Sequence, residues 1–217
     1  MYFYLYTLFW GCQTEDIGHF SQNDISFDTS IVSGGYFFMG CLPNDDACTS
    51  DENPRHKVMI SHDMEVMTTE VTERLYRSVM GKDSHFPYNK KRVNHPVPQI
   101  SFSRAVSFSN ALNRSVGLEE CYTIQVSDVN WRDSDVNWSN EECTGWRLPT
   151  EAEFEYLARG GENHLYSGSN DVDDVAWYIE NSGIWFISSW RGFKAVGQKK
   201  PNAFGLFDMS GNLSEWT

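Results

Sequence analysis

The chain has 217 residues, 40% hydrophobic and 15% aromatic, which is enough apolar surface for one large domain and too much for a disordered polymer. Against 30 Asp and Glu stand only 17 Lys and Arg, a formal charge of -13 that excludes a nucleic-acid partner, because phosphate binding needs a basic face. No apolar run approaches the roughly 18 residues of a membrane-spanning helix.

The N-terminal "MYFYLYTLFWGC" is an apolar run ending in Gly11-Cys12, followed at once by the polar "QTEDIGHFSQND". It resembles the end of a bacterial lipoprotein signal, in which a cysteine after a small residue is lipidated and becomes the mature N-terminus. No Lys or Arg precedes the run, and Trp10 is bulky where small residues are usual. The expectation is a signal over residues 1–12, a lipid anchor on Cys12 and export to the periplasm or cell surface of a bacterium. Residues 13–30 are polar and read as a tether, with the folded domain over 31–217.

From Ile31 the pattern tightens. "IVSGGYFFMGC" predicts a short strand punctuated by Gly34-Gly35, and "KVMISHDMEVM" alternates well enough for a second strand. Between them lies an acidic loop carrying Cys41 and Cys48; Cys121 and Cys143 flank a second polar stretch. Four cysteines allow three pairings. Closing the two polar loops favours Cys41–Cys48 and Cys121–Cys143, against the reading of free thiols in a cytosolic protein.

Three helices follow from apolar spacing. "TEVTERLYRSVMG" places Val71, Leu75, Tyr76 and Val79 at helical intervals with Gly81 as a stop; "SRAVSFSNALNRSVG" aligns Ala105, Phe108, Ala111 and Leu112, with Gly117 suited to the C′ position. In "RLPTEAEFEYLARGG", Thr150 and Glu153 form a capping box, Arg159 suits the negative end of the dipole and Gly160-Gly161 ends the helix. The repeat "SDVNW" at 127–131 and 134–138 offers Trp131 and Trp138 as a sugar-stacking pair, although so short a repeat is more often an accident of a loop. Short strands, three helices and long irregular loops predict an α+β domain.

In this order, "GGYFFMGC", "DENPRHKVMIS", "TEVTERLYRSVMG", "PVPQISFSRAVSFSNAL", "GWRLPTEAEFEYLARGG" and "VGQKKPNAFGLFDMSGNLSEW" resemble the formylglycine-generating enzyme (sulfatase-modifying factor) family. The resemblance implies a C-type-lectin-like fold. Active members oxidise a cysteine of a protein such as a sulfatase to formylglycine with dioxygen, using copper(I) on two cysteines. None of the five cysteines here matches that pair, so the chain looks like the N-terminal and central part of such a domain, and copper belongs only to a complete, active form. The resemblance also implies a calcium ion on "DMSGNLSE", held by the Asp208 and Glu215 carboxylates and the Gly211 and Leu213 carbonyls. Calcium takes such mixed oxygen shells. A second calcium site of the family uses an Asn where Trp177 stands, with Asn181 nearby. Ser214 occupies a position that is usually aromatic near the active-site floor.

Two readings result: an oxidase acting on a protein or peptide, or a non-catalytic, calcium-stabilised lectin-like module binding a cell-surface ligand. His56, His62, His85, His95 and His164 are scattered without metal-ligand spacing, which argues against zinc or iron.

Overall fold

The computed structural model describes residues 6–8, 17–22, 25–43, 45–81, 92–124, 136–138, 143–183 and 192–217. The largest sheet is antiparallel and grows around β3 (Ile25–Val32), which pairs on one side with β2 (Ile17–Gln22) and on the other with β6 (Met64–Met67). Beyond β6, the backbone of Tyr6–Leu8 (β1) adds a fourth strand, with Thr7 opposite Glu65. The rest of the expected signal, Cys12 included, lies outside the described residues.

The tether expectation is corrected over most of its length, because residues 17–22 and 25–30 are strand rather than linker. Phe20 stands opposite Phe27, their rings stack at 4.9 Å, and Trp146 meets Phe27 edge-on at 5.0 Å. The polar residues that suggested a tether occupy the other face, where His19 Nδ1 lies 2.7 Å from Asp28 Oδ1. One apolar cross-strand pair with a tryptophan beneath it outweighs polar neighbours that remain solvated.

The two expected strands become four. β3 ends at Val32, and β4 (Gly35–Met39) leaves in a new direction to pair with β5 (His56–Ile60) in a separate two-stranded sheet. Gly34 marks the corner because a Cβ there would lie 2.6 Å from the Ile60 carbonyl. The run expected as a single second strand breaks between Ile60 and Met64, where Asp63 accepts the Gly34 N–H at 2.9 Å.

The three expected helices form: α1 (Glu73–Met80), α2 (Phe102–Val116) and α3 (Glu151–Arg159), with Gly117 and Gly160 left-handed at the C-caps of the last two. A short α4 (Val172–Val175) adds an acidic turn that periodicity did not reveal. Helices α1 and α2 pack together, with Tyr76 stacked on Phe108 at 5.2 Å. β7 (Tyr122–Ile124) pairs with β8 (Val136–Trp138), which holds the end of the second "SDVNW" copy; the first copy lies outside the described residues. The Arg147 guanidinium sits 5.2 Å from the Trp138 ring, so a cation of this chain already occupies that ring. Both favoured disulfides form, Cys41–Cys48 and Cys121–Cys143. The second is buried at both ends and ties the chain after α2 to the strand of residues leading into Trp146.

Candidate metal centre

The capping box of α3 is present and belongs to a larger construction. Thr150 Oγ1 accepts the Glu153 N–H at 3.3 Å, and Glu153 Oε2 accepts the Thr150 N–H at 2.8 Å. Glu153 is buried and also receives a two-pronged contact from buried Arg147, at 2.8 and 2.6 Å, with His62 Nε2 3.0 Å away. Burial alone would push this carboxyl up; the guanidinium, the Thr150 N–H and His62 outweigh it and hold it at about 2. Glu153 is therefore an ionised strut under the helix N-terminus at neutral pH.

The loop after α3 is organised by Asn202. Its Oδ1 accepts the N–H groups of Phe204 and Leu206 at 2.9 and 3.2 Å, and its Nδ2 donates to the Leu157 carbonyl at 2.7 Å and to Ser167 Oγ at 2.9 Å. The next contact, Phe207 N–H to the Thr68 carbonyl at 2.9 Å, lays this loop along the chain leaving β6. Asp208 is thereby brought beside Glu70.

Glu70 is the residue that sequence reasoning missed. It is 1% exposed and Asp208 is 2% exposed, so two acids of unlike sequence origin are both enclosed. Glu70 Oε2 accepts from Asn212 Nδ2 at 2.7 Å, and Asp208 Oδ2 accepts the Gly197 N–H at 2.7 Å. Glu215 closes the group from the far end of the loop, steadied by Trp216, whose Nε1 donates to the Ile100 carbonyl at 2.9 Å. One oxygen of each acid, Glu70 Oε1, Asp208 Oδ1 and Glu215 Oε2, is enclosed without a hydrogen-bond donor. Unpaired enclosed carboxylate oxygens are costly, and three of them on acids that feel one another's charge is a strong departure from ordinary polar satisfaction.

Their electrostatics agree. Burial and then the Asp208 charge push Glu70 well up; burial, Glu70 and Asp208 do the same to Glu215. Burial raises Asp208 to about 6, against the pull of the Gly197 N–H. A divalent cation would reverse all three effects at once. The three carboxylates do not all approach within 4.8 Å of one another, so a shared ion would draw at least one of them inward. Among the described residues the only donor trio that tight is Cys41, Cys48 and Glu52, and its cysteines are spent in a disulfide.

The backbone is shaped for this loop. Asp208 and Asn212 both adopt left-handed φ, 60° and 61°, flanking a bend in which the Gly211 N–H meets the Asp208 carbonyl at 3.2 Å. Gly211 passes so close to Trp177 that a Cβ would lie 2.6 Å from its carbonyl oxygen. Ser214 is exposed and lines a cavity of about 380 Å³ with Phe154, Trp177 and the 209–215 loop. At the second implied calcium position, Asn181 spends its oxygen on the Tyr178 N–H and its nitrogen on Asp173 and Ala176. Lys199 sits 4.2 Å from the Trp177 ring, so that corner is already cationic. His85 lies outside the described residues, and no described histidine joins a trio of donors.

These elements make a mixed α+β domain. The family model described as "Sulfatase-modifying factor enzyme 1-like domain" matches residues 14–217, and the chain belongs to that family. It is 34% identical over 212 residues to "Chaperone protein LppX" of Paenibacillus barcinonensis, covering 88% of this chain and 71% of that protein. It is also 29% identical over 149 residues to the formylglycine-generating enzyme of Mycobacterium tuberculosis, of which it spans 38%, with 65% of this chain aligned. Among solved structures, "Treponema denticola variable protein 1" superposes with a TM-score of 0.70 at 26% identity, covering 92% of this chain and 75% of that one. "Structure of PvdO from Pseudomonas aeruginosa" shares the fold, with a TM-score of 0.63 at 19% identity over 95% of this chain and 75% of that one.

Proposed function

We propose that this chain is a calcium-stabilised, lectin-like module of the sulfatase-modifying-factor family that holds a protein partner. The observation that carries the metal is the trio of enclosed, donor-less oxygens on Glu70, Asp208 and Glu215. With the Gly211 and Leu213 carbonyls that the family resemblance implies, these residues would supply at least five of the 6–8 oxygens calcium takes at about 2.3–2.6 Å. Bound there, calcium would supply charge neutralisation and loop rigidity. The protein partner is supported by the similarity to a relative that bears the name chaperone. Lipidation at Cys12 would hold the module at a bacterial membrane surface.

Cysteine oxidation is the second reading, favoured by the alignment to formylglycine-generating enzymes. Copper(I) needs free thiolates. All four described cysteines are disulfide-bonded, so none of them fits copper.

Thermal melting in calcium and in chelator tests the first reading. Calcium raises the midpoint of the wild type and leaves that of Glu215→Gln unmoved; equal midpoints for the wild type in both buffers contradict it. Conversion of a cysteine peptide to formylglycine by the purified chain with copper and dioxygen, read by mass spectrometry, would establish the second reading instead.

A further inference from the structure

Strands β4 and β5 form a sheet with one covered and one bare face. The covered face rests on α3: Phe37 lies against Tyr156 with ring centroids 5.4 Å apart, and the Gly40 N–H bonds Glu155 at 2.9 Å. Pairing of Tyr36 with Met59 and of Phe38 with Lys57 sends these four side chains to the opposite face. There Tyr36 is 62% exposed, Phe38 52% and Met59 56%. Lys57 Nζ stands 4.0 Å from the Tyr36 ring centroid, and the Arg55 guanidinium stands 5.2 Å from that of Phe38.

Arg55 and Lys57 lie on rings and not on carboxylates, an arrangement shared with Lys194 and Lys199 at Trp177. The chain carries -13 overall, and Arg92, Arg114, Arg147, Arg159 and Lys200 all contact carboxylates. Arg55 and Lys57 have no ion pair among the described residues; their neighbours are aromatic rings. In a body so rich in acids, two cations kept out of ion pairs and held in place by rings complement an anionic partner.

We propose that this face docks an acidic segment of a partner protein, with its carboxylates on Arg55 and Lys57 and its apolar side chains over Tyr36, Phe38 and Met59. The proposal builds on the protein-binding reading above. A protein segment fits better than an anionic bilayer. Each cation near a charged membrane contributes only about 1 kcal/mol, so two hold a bilayer weakly, whereas a peptide segment can set a carboxylate directly against each of them. The planar fork of Arg55 also matches a carboxylate in two-pronged geometry.

The test uses the folded chain and three immobilised probes: a glutamate–tyrosine copolymer, a lysine–tyrosine copolymer and phosphatidylglycerol vesicles. The expected result is binding to the glutamate–tyrosine copolymer alone, weakening several-fold from about 50 to about 300 mM salt. Arg55→Glu with Lys57→Glu lowers that binding roughly tenfold or more, and Tyr36→Ser with Phe38→Ser lowers it comparably, with melting midpoints unchanged. Binding indifferent to both double substitutions, no binding to the acidic copolymer, or binding to the vesicles in its place overturns the proposal. The calcium melt is read separately, so loss of the metal response with retained copolymer binding removes the metal reading and leaves this surface standing.

Discussion

Asp208→Asn separates the cost of an unneutralised acid from the benefit of a bound cation. In the metal-free protein, burial raises the Asp208 carboxyl from its usual 3.8 to about 6. A rise of about two pH units, each worth about 1.4 kcal/mol, means that ionised Asp208 opposes folding by about 3 kcal/mol once the pH is above 6. Because the folded state holds the proton more tightly than the unfolded chain, this penalty is absent below about pH 4 and grows through the window up to 6. Asparagine removes the charge, keeps an oxygen for the Gly197 N–H, and accepts the left-handed φ of 60° more readily than aspartate. Urea unfolding in chelator at pH 7.5 should therefore show the variant more stable by up to about 3 kcal/mol, with the gap closing towards pH 4. In calcium at about a thousand times its Kd the wild type gains about 4 kcal/mol and the variant much less, so the order reverses. Equal stabilities in chelator at pH 7.5 would refute the reasoning about the burial penalty, and equal calcium responses would refute the assignment of Asp208 as a ligand.

Glu153→Gln leaves Arg147 enclosed without its counter-charge and should cost about 3–5 kcal/mol at neutral pH in urea unfolding. Since the Glu153 carboxyl is held at about 2, its contribution is complete above pH 4.5 and disappears as the pH falls through 2, so wild type and variant converge in acid. Replacing Cys121 and Cys143 by alanine opens a loop spanning 22 residues and should lower stability by about 3 kcal/mol, checked by the same titration with and without reductant. Asn202→Ala removes the amide that joins α3 to the loop before Asp208, and should cost about 2–4 kcal/mol while also weakening the calcium-induced shift in melting midpoint.

The helices and their ends were legible because their signals are local. Thr150, Glu153 and Gly160 act within one turn of the residues they cap, and Gly117 ends α2 in the left-handed conformation expected of it. The strands were less legible: Ile17–Gln22 looks like linker until Phe27 and Trp146 are placed against Phe20. Two of the three acids of the centre were visible too, since Asp208 and Glu215 sit in one short motif. Glu70 stands well over a hundred positions away from them, beyond the end of β6 at Met67, and its burial comes from the 202–212 loop laid over it, which no local pattern reports.

From the sequence alone came the family, the mixed α+β class, the caps of the helices and an acidic loop with calcium-type donors, because motifs and capping depend on neighbours a few residues apart. Tertiary structure alone decided that Glu70 joins Asp208 and half-buried Glu215 in one acidic cluster, that Glu153 is an ion-paired strut, and that Arg55 and Lys57 stand on rings without an ion pair among the described residues. Each of these is a matter of which charges are shut away from water and which face one another. That depends on long-range packing, and it sets their energies far more than their positions along the chain.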